Sequence, residues 1–196
     1  MSRLVLLPLQ RKLETKGFVV RKFAYPSWKG SLEGNVRLLS KFVNETSGSA
    51  IHIVAHSLGG LIALKMLLQD QQTEIRRLVL LGTPYAGCHC GKTLADSALL
   101  SALVGHSLKE WLMLPRANLI PDVEIGVIAG TLPLGLGRLI PGLGRPNDGV
   151  VALDETYIKD AQDSIALPVN HSGMLVSKIC AEHISSFLRT GNFIHA

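Results

Sequence analysis

The chain has 196 residues, 47% hydrophobic and 18% charged, with a formal net charge of +5. This mixture excludes a disordered chain, and the length suffices to bury a sizeable core as one domain, 1–196. The pI near 9.3 comes from Lys and Arg spread no more densely than pairs such as Arg11-Lys12 and Arg76-Arg77, with no nucleic-acid motif beside them. They read as solvated surface, and no nucleic-acid partner is expected.

The N-terminus, MSRLVLLPLQRK, has one early Arg and an apolar run too short, and too soon followed by charges, for a secretory signal. No stretch reaches the ~18 uninterrupted apolar residues of a membrane span, so the cytoplasm is the default location. GFVVRKFAYP (17–26) reads as a strand bounded by Gly17 and Pro26. SLEGNVRLLSKFVNET (31–46) reads as a helix, with Leu32, Val36, Leu39, Phe42 and Val43 on one stripe and Ser31 as N-cap. IHIVA (51–55) is a strand buried on both faces, and LGGLIALKMLLQD (58–70) a helix. RRLVLLG (76–82) is the next strand, turning at Thr83-Pro84. TLADSALLSALVG (93–105) and SLKEWLMLP (107–115) look helical and strongly apolar. VEIGVIAGT (123–131) is a strand, and 132–149 a Gly/Pro-rich loop. SIALPV (164–169) is the last strand. MLVSKICAEHISSFLRTG (174–191) is the last helix, stopped by Gly191. The alternation predicts an α/β fold, a mostly parallel sheet with helices on both faces.

Three cysteines, Cys88, Cys90 and Cys180, form no disulfide framework and suggest a reducing compartment. Cys88-His89-Cys90 has no second ligand pair at zinc spacing, so it reads as small residues in a loop, and no metal is expected.

Ser57 stands where the strand 51–55 meets the helix 58–70. An N-cap is the usual reason for such a serine. Here Ala55 and Gly59 flank it as A-x-S-x-G, one methyl away from G-x-S-x-G. Small residues at those places let neighbouring strands approach a sharp turn that lifts the hydroxyl above the carboxyl end of the sheet. The same turn puts the Leu58 N–H at a helix start, where it would face a developing oxyanion.

A serine needs a base. Of seven histidines, His171 follows the strand SIALPV and precedes a helix, at the edge that presents Ser57. His52 reads as structural. His56 adjoins the serine with its side chain pointing away. His89 and His106 lie too early, His183 lies within the last helix, and His195 is near the chain end. The base needs a carboxylate. Asp148, in Asn147-Asp148-Gly149, is the candidate, although that tripeptide is also turn chemistry. Asp122 belongs to the wrong edge. Asp154, Glu155 and Asp163 compete, Asp154 most seriously.

AHSLGG, RRLVLLGTPYAG, PNDGVV and NHSGML, in that order, resemble the nucleophile elbow, the following strand and loop, the acid segment and the histidine loop of the α/β-hydrolase superfamily, in particular its small lipases and esterases. The resemblance covers nearly the whole chain. It implies a serine hydrolase of carboxylic esters with the triad Ser57, Asp148 and His171, an oxyanion contact from the Leu58 N–H, and no cofactor. It also implies a small-molecule ester substrate with an apolar acyl group, and the segment 93–115 as a cap, or else a core helix. Members usually open with a strand ending in His-Gly, whose loop gives the second oxyanion N–H. No His-Gly precedes Gly17, and LLPLQRKLETKG (6–17) looks like the helix after that loop. The fold is therefore expected to be N-terminally shortened; the alternative makes RLVLL (3–7) the strand. Acyl transfer would use the same residues. A non-catalytic binding protein would keep the fold without the second donor. Nothing in the pattern sets an oligomeric state.

Overall fold

Four of the apolar runs form one parallel sheet, β1 (Ile51–His56), β2 (Ile75–Leu81), β3 (Glu124–Gly130) and β4 (Asp163–Leu167), side by side in chain order. The computed structural model describes residues 3–46, 50–69, 75–96, 105–114, 123–135 and 140–195. Ala55 pairs with Leu80, Leu80 with Val127, and Val127 with Ser164. Side chains of a strand alternate between faces. On β2, Leu78 and Leu80 therefore enter one apolar cluster, and Val79 and Leu81 the other.

The first cluster lies under α2 (Leu32–Asn44) and α3 (Leu58–Gln69), which contribute Leu32, Val36, Leu39, Val43, Leu61 and Leu64. The second lies under α1 (Leu7–Glu14) and α6 (Lys178–Thr190), with Leu9, Leu13, Ile184 and Phe187. The layers are thus helix, sheet, helix. α3 is apolar nearly all round because α2 covers the side that the sheet does not. Between β2 and β3 come α4 (His89–Asp96) and α5 (His106–Leu112).

Capping set the helix ends. Ser31 Oγ accepts the Gly34 N–H at 3.0 Å, as its position in the sequence predicts. Gly191, at φ 82°, ends α6 in the left-handed region. The start of α6 differs from the predicted 174. Residues 173–175 make a single 3-10 turn, and Ser177 then caps the helix through the Cys180 N–H at 3.3 Å.

Three other expectations are corrected. Residues 3–6 form a 3-10 turn leading into α1, so RLVLL is not a strand. Cys88-His89-Cys90 is no plain loop, since His89 and Cys90 open α4. Of the predicted helix 93–105, α4 supplies only the part to Asp96, and 97–104 lies outside the described residues.

A further correction is 17–26, which is extended but joins no sheet among the described residues. Phe18 and Val20 face the α1/α6 cluster, while Phe23 and Tyr25 face the α2/α3 cluster. The alternation is that of a strand. The backbone of Val19–Ala24, however, makes no hydrogen bond to another described residue, and a strand exists only by its ladder. β1 is correspondingly an edge strand, and Ile51–Val54 are only half-buried. No helix among the described residues is long and apolar enough to cross a membrane.

Candidate active site

Ser57 has φ 54° and is the one non-glycine with positive φ among the described residues. That conformation costs roughly 1–2 kcal/mol for a residue with a Cβ, and it persists because the surroundings fix it. The Ser57 N–H donates to Leu81 O (2.9 Å), and the Ser57 carbonyl accepts both the Gly60 N–H (2.9 Å) and the Thr83 hydroxyl (3.2 Å). α3 begins at the next residue, so the Leu58 N–H sits at its open start.

The size limit at this turn falls one residue later than the sequence suggested. A Cβ on Gly59 would meet only ordinary contact, whereas one on Gly60 would collide with Thr83 Oγ1 and lie 2.7 Å from Thr83 Cγ2 and 2.8 Å from Leu80 Cδ2. Gly60→Ala is expected to destabilise the chain by about 1–3 kcal/mol through overpacking, read by thermal unfolding. A variant as stable as the parent would show that α3 and β2 can separate freely here.

His171 and Asp148 meet at the same sheet edge. His171 follows β4, and its Nδ1 lies 2.7 Å from Asp148 Oδ2. The His171 N–H also donates to Asp148 O at 2.8 Å, so backbone and side chain both hold the pair. The other carboxylate oxygen of Asp148 accepts the Val150 and Val151 N–H groups at 2.9 and 2.7 Å. The turn chemistry of Asn-Asp-Gly and the contact to histidine are thus two ends of one side chain. Asp148 is 1% exposed and His171 8%.

Gly82, just past β2, closes over this pair. At φ 52° it needs glycine's freedom, and a Cβ there would stand 2.9 Å from Asp148 Oδ2 and 3.0 Å from His171 Nδ1. With Nδ1 engaged by the carboxylate, Nε2 is the ring nitrogen left to act as base. The rival acids lie elsewhere. Asp154 is exposed. Asp163 bonds His195 Nε2 at 2.8 Å and the Phe193 N–H at 2.7 Å, and Asp122 is outside the described residues.

Residues 32–122 match a family model described as alpha/beta hydrolase fold. The chain also superposes on the mature form of a Bacillus licheniformis lipase, BlEst2, with a TM-score of 0.67 at 15% identity, over 87% of this chain and 77% of that one. The chain has the α/β-hydrolase fold. Other solved α/β structures agree. A metagenomic carboxyl esterase gives a TM-score of 0.67 at 16% identity, over 83% of this chain and 57% of that one. A phospholipase of Legionella pneumophila gives 0.65 at 14%, over 95% and 52%. The chain therefore spans little more than half the length of these two. The family match covers less than half of the chain, and the structural likenesses, at 14–16% identity, show the fold. No curated protein matches the sequence.

Two residues beside the His171–Asp148 pair make contacts that the sequence did not assign to them. His56, expected to point away from the serine, packs against His171. Its ring lies 4.6 Å from that of His171, centroid to centroid, and its Nε2–H donates to the His171 carbonyl at 2.9 Å. Because Ser57 is the next residue, this contact ties the elbow to the histidine loop. The buried His56 Nδ1 has no hydrogen-bond partner among the described residues. Burial first, then the neighbouring His171, lowers the His56 pKa to about 4. Above the ordinary value near 6.5, folded and unfolded chains both carry it neutral. As pH falls from about 6.5 to about 4, only the unfolded chain gains the proton, so stability is lost by about 3 kcal/mol in total. His56→Gln should flatten that part of the stability–pH curve. Parallel curves for parent and variant would reject this role.

Glu155 is the second. Its buried carboxylate accepts the His89 N–H and the Ala152 N–H, the latter at 2.8 Å, and its carbonyl accepts the Ala86 N–H at 2.7 Å. It clamps the segment bearing Asp148 to the loop after β2. Among the described residues no cluster of His, Cys, Asp and Glu could hold a metal. Burial pushes the Cys88 thiol up to about 12 and Cys90 up to about 11, which leaves both protonated and poor nucleophiles.

Proposed function

We propose that the chain is a serine hydrolase of carboxylic esters, with Ser57 as nucleophile, His171 as base, Asp148 as its orienting acid and the Leu58 N–H as an oxyanion donor. The reading rests chiefly on the 2.7 Å contact between His171 Nδ1 and a buried carboxylate, at the same sheet edge as a serine held at φ 54°. Ser57 Oγ attacks the ester carbonyl while His171 Nε2 takes its proton. Asp148 holds the ring in the tautomer that leaves Nε2 free, and it stabilises the imidazolium. The carbonyl oxygen gains negative charge against the Leu58 N–H, where the start of α3 favours it. His171 returns the proton to the leaving alcohol. A water, deprotonated by the same nitrogen, then releases the acid from Ser57. Every step is acid–base and acyl chemistry, and no cofactor enters.

The proposed substrate carries an apolar acyl group. Leu58, Tyr85, Leu108 and Trp111 share one apolar cluster, and the Tyr85 and Trp111 rings lie 6.2 Å apart. The lipase and esterase among the structural neighbours are in keeping with this choice. Of segment 93–115, the described residues 93–96 and 105–114 would wall the site in a single catalytic unit. Its α5 part is fastened to the core side, for Ser107 bonds Asn35 Nδ2 (2.9 Å) and Gly30 O (2.8 Å), and Glu110 accepts the Leu32 N–H at 2.6 Å.

A fluorophosphonate probe tests the reading without knowledge of the substrate, because it reacts with activated serines. Peptide mapping should place the label on Ser57. An unlabelled chain, or a label carried by another serine, would defeat the assignment.

A further inference from the structure

We propose that His56 is a positioning residue for His171, its ring N–H fixing the base relative to the turn that carries Ser57. The proposal rests on Ser57 and His171 being nucleophile and base.

His171 is held by its backbone at two points and by its ring at one. Its N–H donates to Asp148 O at 2.8 Å, and its Nδ1 lies 2.7 Å from Asp148 Oδ2. Both of these bonds go to one residue, so they fix His171 to the segment after β3 and not to Ser57. The third bond comes from the other side. His56 Nε2 lies 2.9 Å from the His171 carbonyl. A carbonyl only accepts, so Nε2 carries the proton. His56 is the last residue of β1, paired with Leu81 of β2, and the N–H of the following Ser57 is tied to Leu81 O at 2.9 Å. A single side chain, on backbone that the sheet holds in register, therefore joins the base to the residue beside the nucleophile.

A ring chosen only for packing would differ. His56 is buried, and its Nδ1 has no hydrogen-bond partner among the described residues. An unpaired buried acceptor is a cost that an apolar ring would avoid. What the apolar ring would lack is the Nε2–H. Burial, then the neighbouring His171, brings the His56 pKa down to about 4, so the ring stays neutral with its proton on Nε2 throughout the range in which His171 can serve as base. A neutral neighbour also sets no positive charge 4.6 Å from a ring that becomes imidazolium during the reaction. No bond to His56 forms or breaks, and no proton leaves it. It acts on the reaction only through the place it gives His171.

His56→Phe keeps a ring against His171 and removes the donor. On p-nitrophenyl butyrate its kcat should fall by about 10²-fold with KM little changed, since a catalytic group misplaced by about 1 Å costs on that order. The rate of fluorophosphonate labelling should fall by the same factor. His56→Gln offers an amide N–H to the same carbonyl and should recover about tenfold or more of the loss. Packing lost with the ring would not return with glutamine. A His56→Phe kcat within about threefold of the parent, with Ser57→Ala inactive, overturns the proposal alone, and so does a His56→Gln chain as slow as His56→Phe. Ser57→Ala as active as the parent removes the nucleophile assignment and the proposal together. If His56→Phe fails to fold, 2-thienylalanine placed at residue 56 supplies a five-membered ring without a donor. The same loss of kcat is then expected, and a kcat at the parent's level overturns the proposal.

Discussion

Ser57→Ala is expected to leave a folded chain whose kcat on p-nitrophenyl esters is lower by about 10⁴–10⁶-fold, and which takes up no fluorophosphonate. The size follows from the role. Without the hydroxyl no acyl-enzyme forms, and the oxyanion donors and binding surfaces leave only a remnant of the acceleration. Stability should hardly move, since alanine carries the same Cβ into the same left-handed backbone and the bonds at residue 57 are all made by its backbone. Ser57→Gly sharpens the test. It removes the Cβ that makes φ 54° costly, so it should be equally inactive yet more stable, by up to about 1 kcal/mol. A protein that is steadier without its serine keeps it for chemistry. Hydrolysis within about tenfold of the parent in either variant would end the nucleophile assignment.

The sequence shows why this part of the molecule reads so readily. Around Ser57 a β-branched run, small residues and a helix-forming run coincide within about twenty positions, and each signal is local. The pairing of Asp148 with His171 spans 23 residues and was legible only through order along the chain. The same limit explains the failures. In 17–26 the alternation of Phe18, Val20, Phe23 and Tyr25 is real, but alternation reports two buried faces and not a hydrogen-bonded neighbour. His56 reads from the sequence as a side chain pointing away from Ser57, and nothing local signals that its neighbour in space is the ring of His171. The tight contact at Gly60 depends on Thr83, beyond the end of the next strand, and no spacing within AHSLGG signals it. The start of α6 could have been found, since Ser177 is a ready N-cap; the apolar pair Met174-Leu175 extended the helical pattern past it.

Asp148→Asn is expected to lower kcat by about 10⁴-fold with KM nearly unchanged. The side chain has two duties that the substitution separates. Oδ1 accepts the Val150 and Val151 N–H groups, and the amide oxygen can keep those bonds, so the loop should hold. The atom facing His171 Nδ1 then becomes an NH₂ group, which donates where the carboxylate accepted. The ring must answer by carrying its proton on Nε2, and the nitrogen that should deprotonate Ser57 is no longer a base. The rate of fluorophosphonate labelling should fall with kcat, since both need the activated serine. Asp154→Asn is the control, because Asp154 is exposed, and it should match the parent. A reversed outcome, with Asp154→Asn inactive and Asp148→Asn active, would transfer the acid role to a residue that reaches His171 only after the 147–157 segment rearranges. Equal activity in all three chains would mean that His171 needs no carboxylate to work.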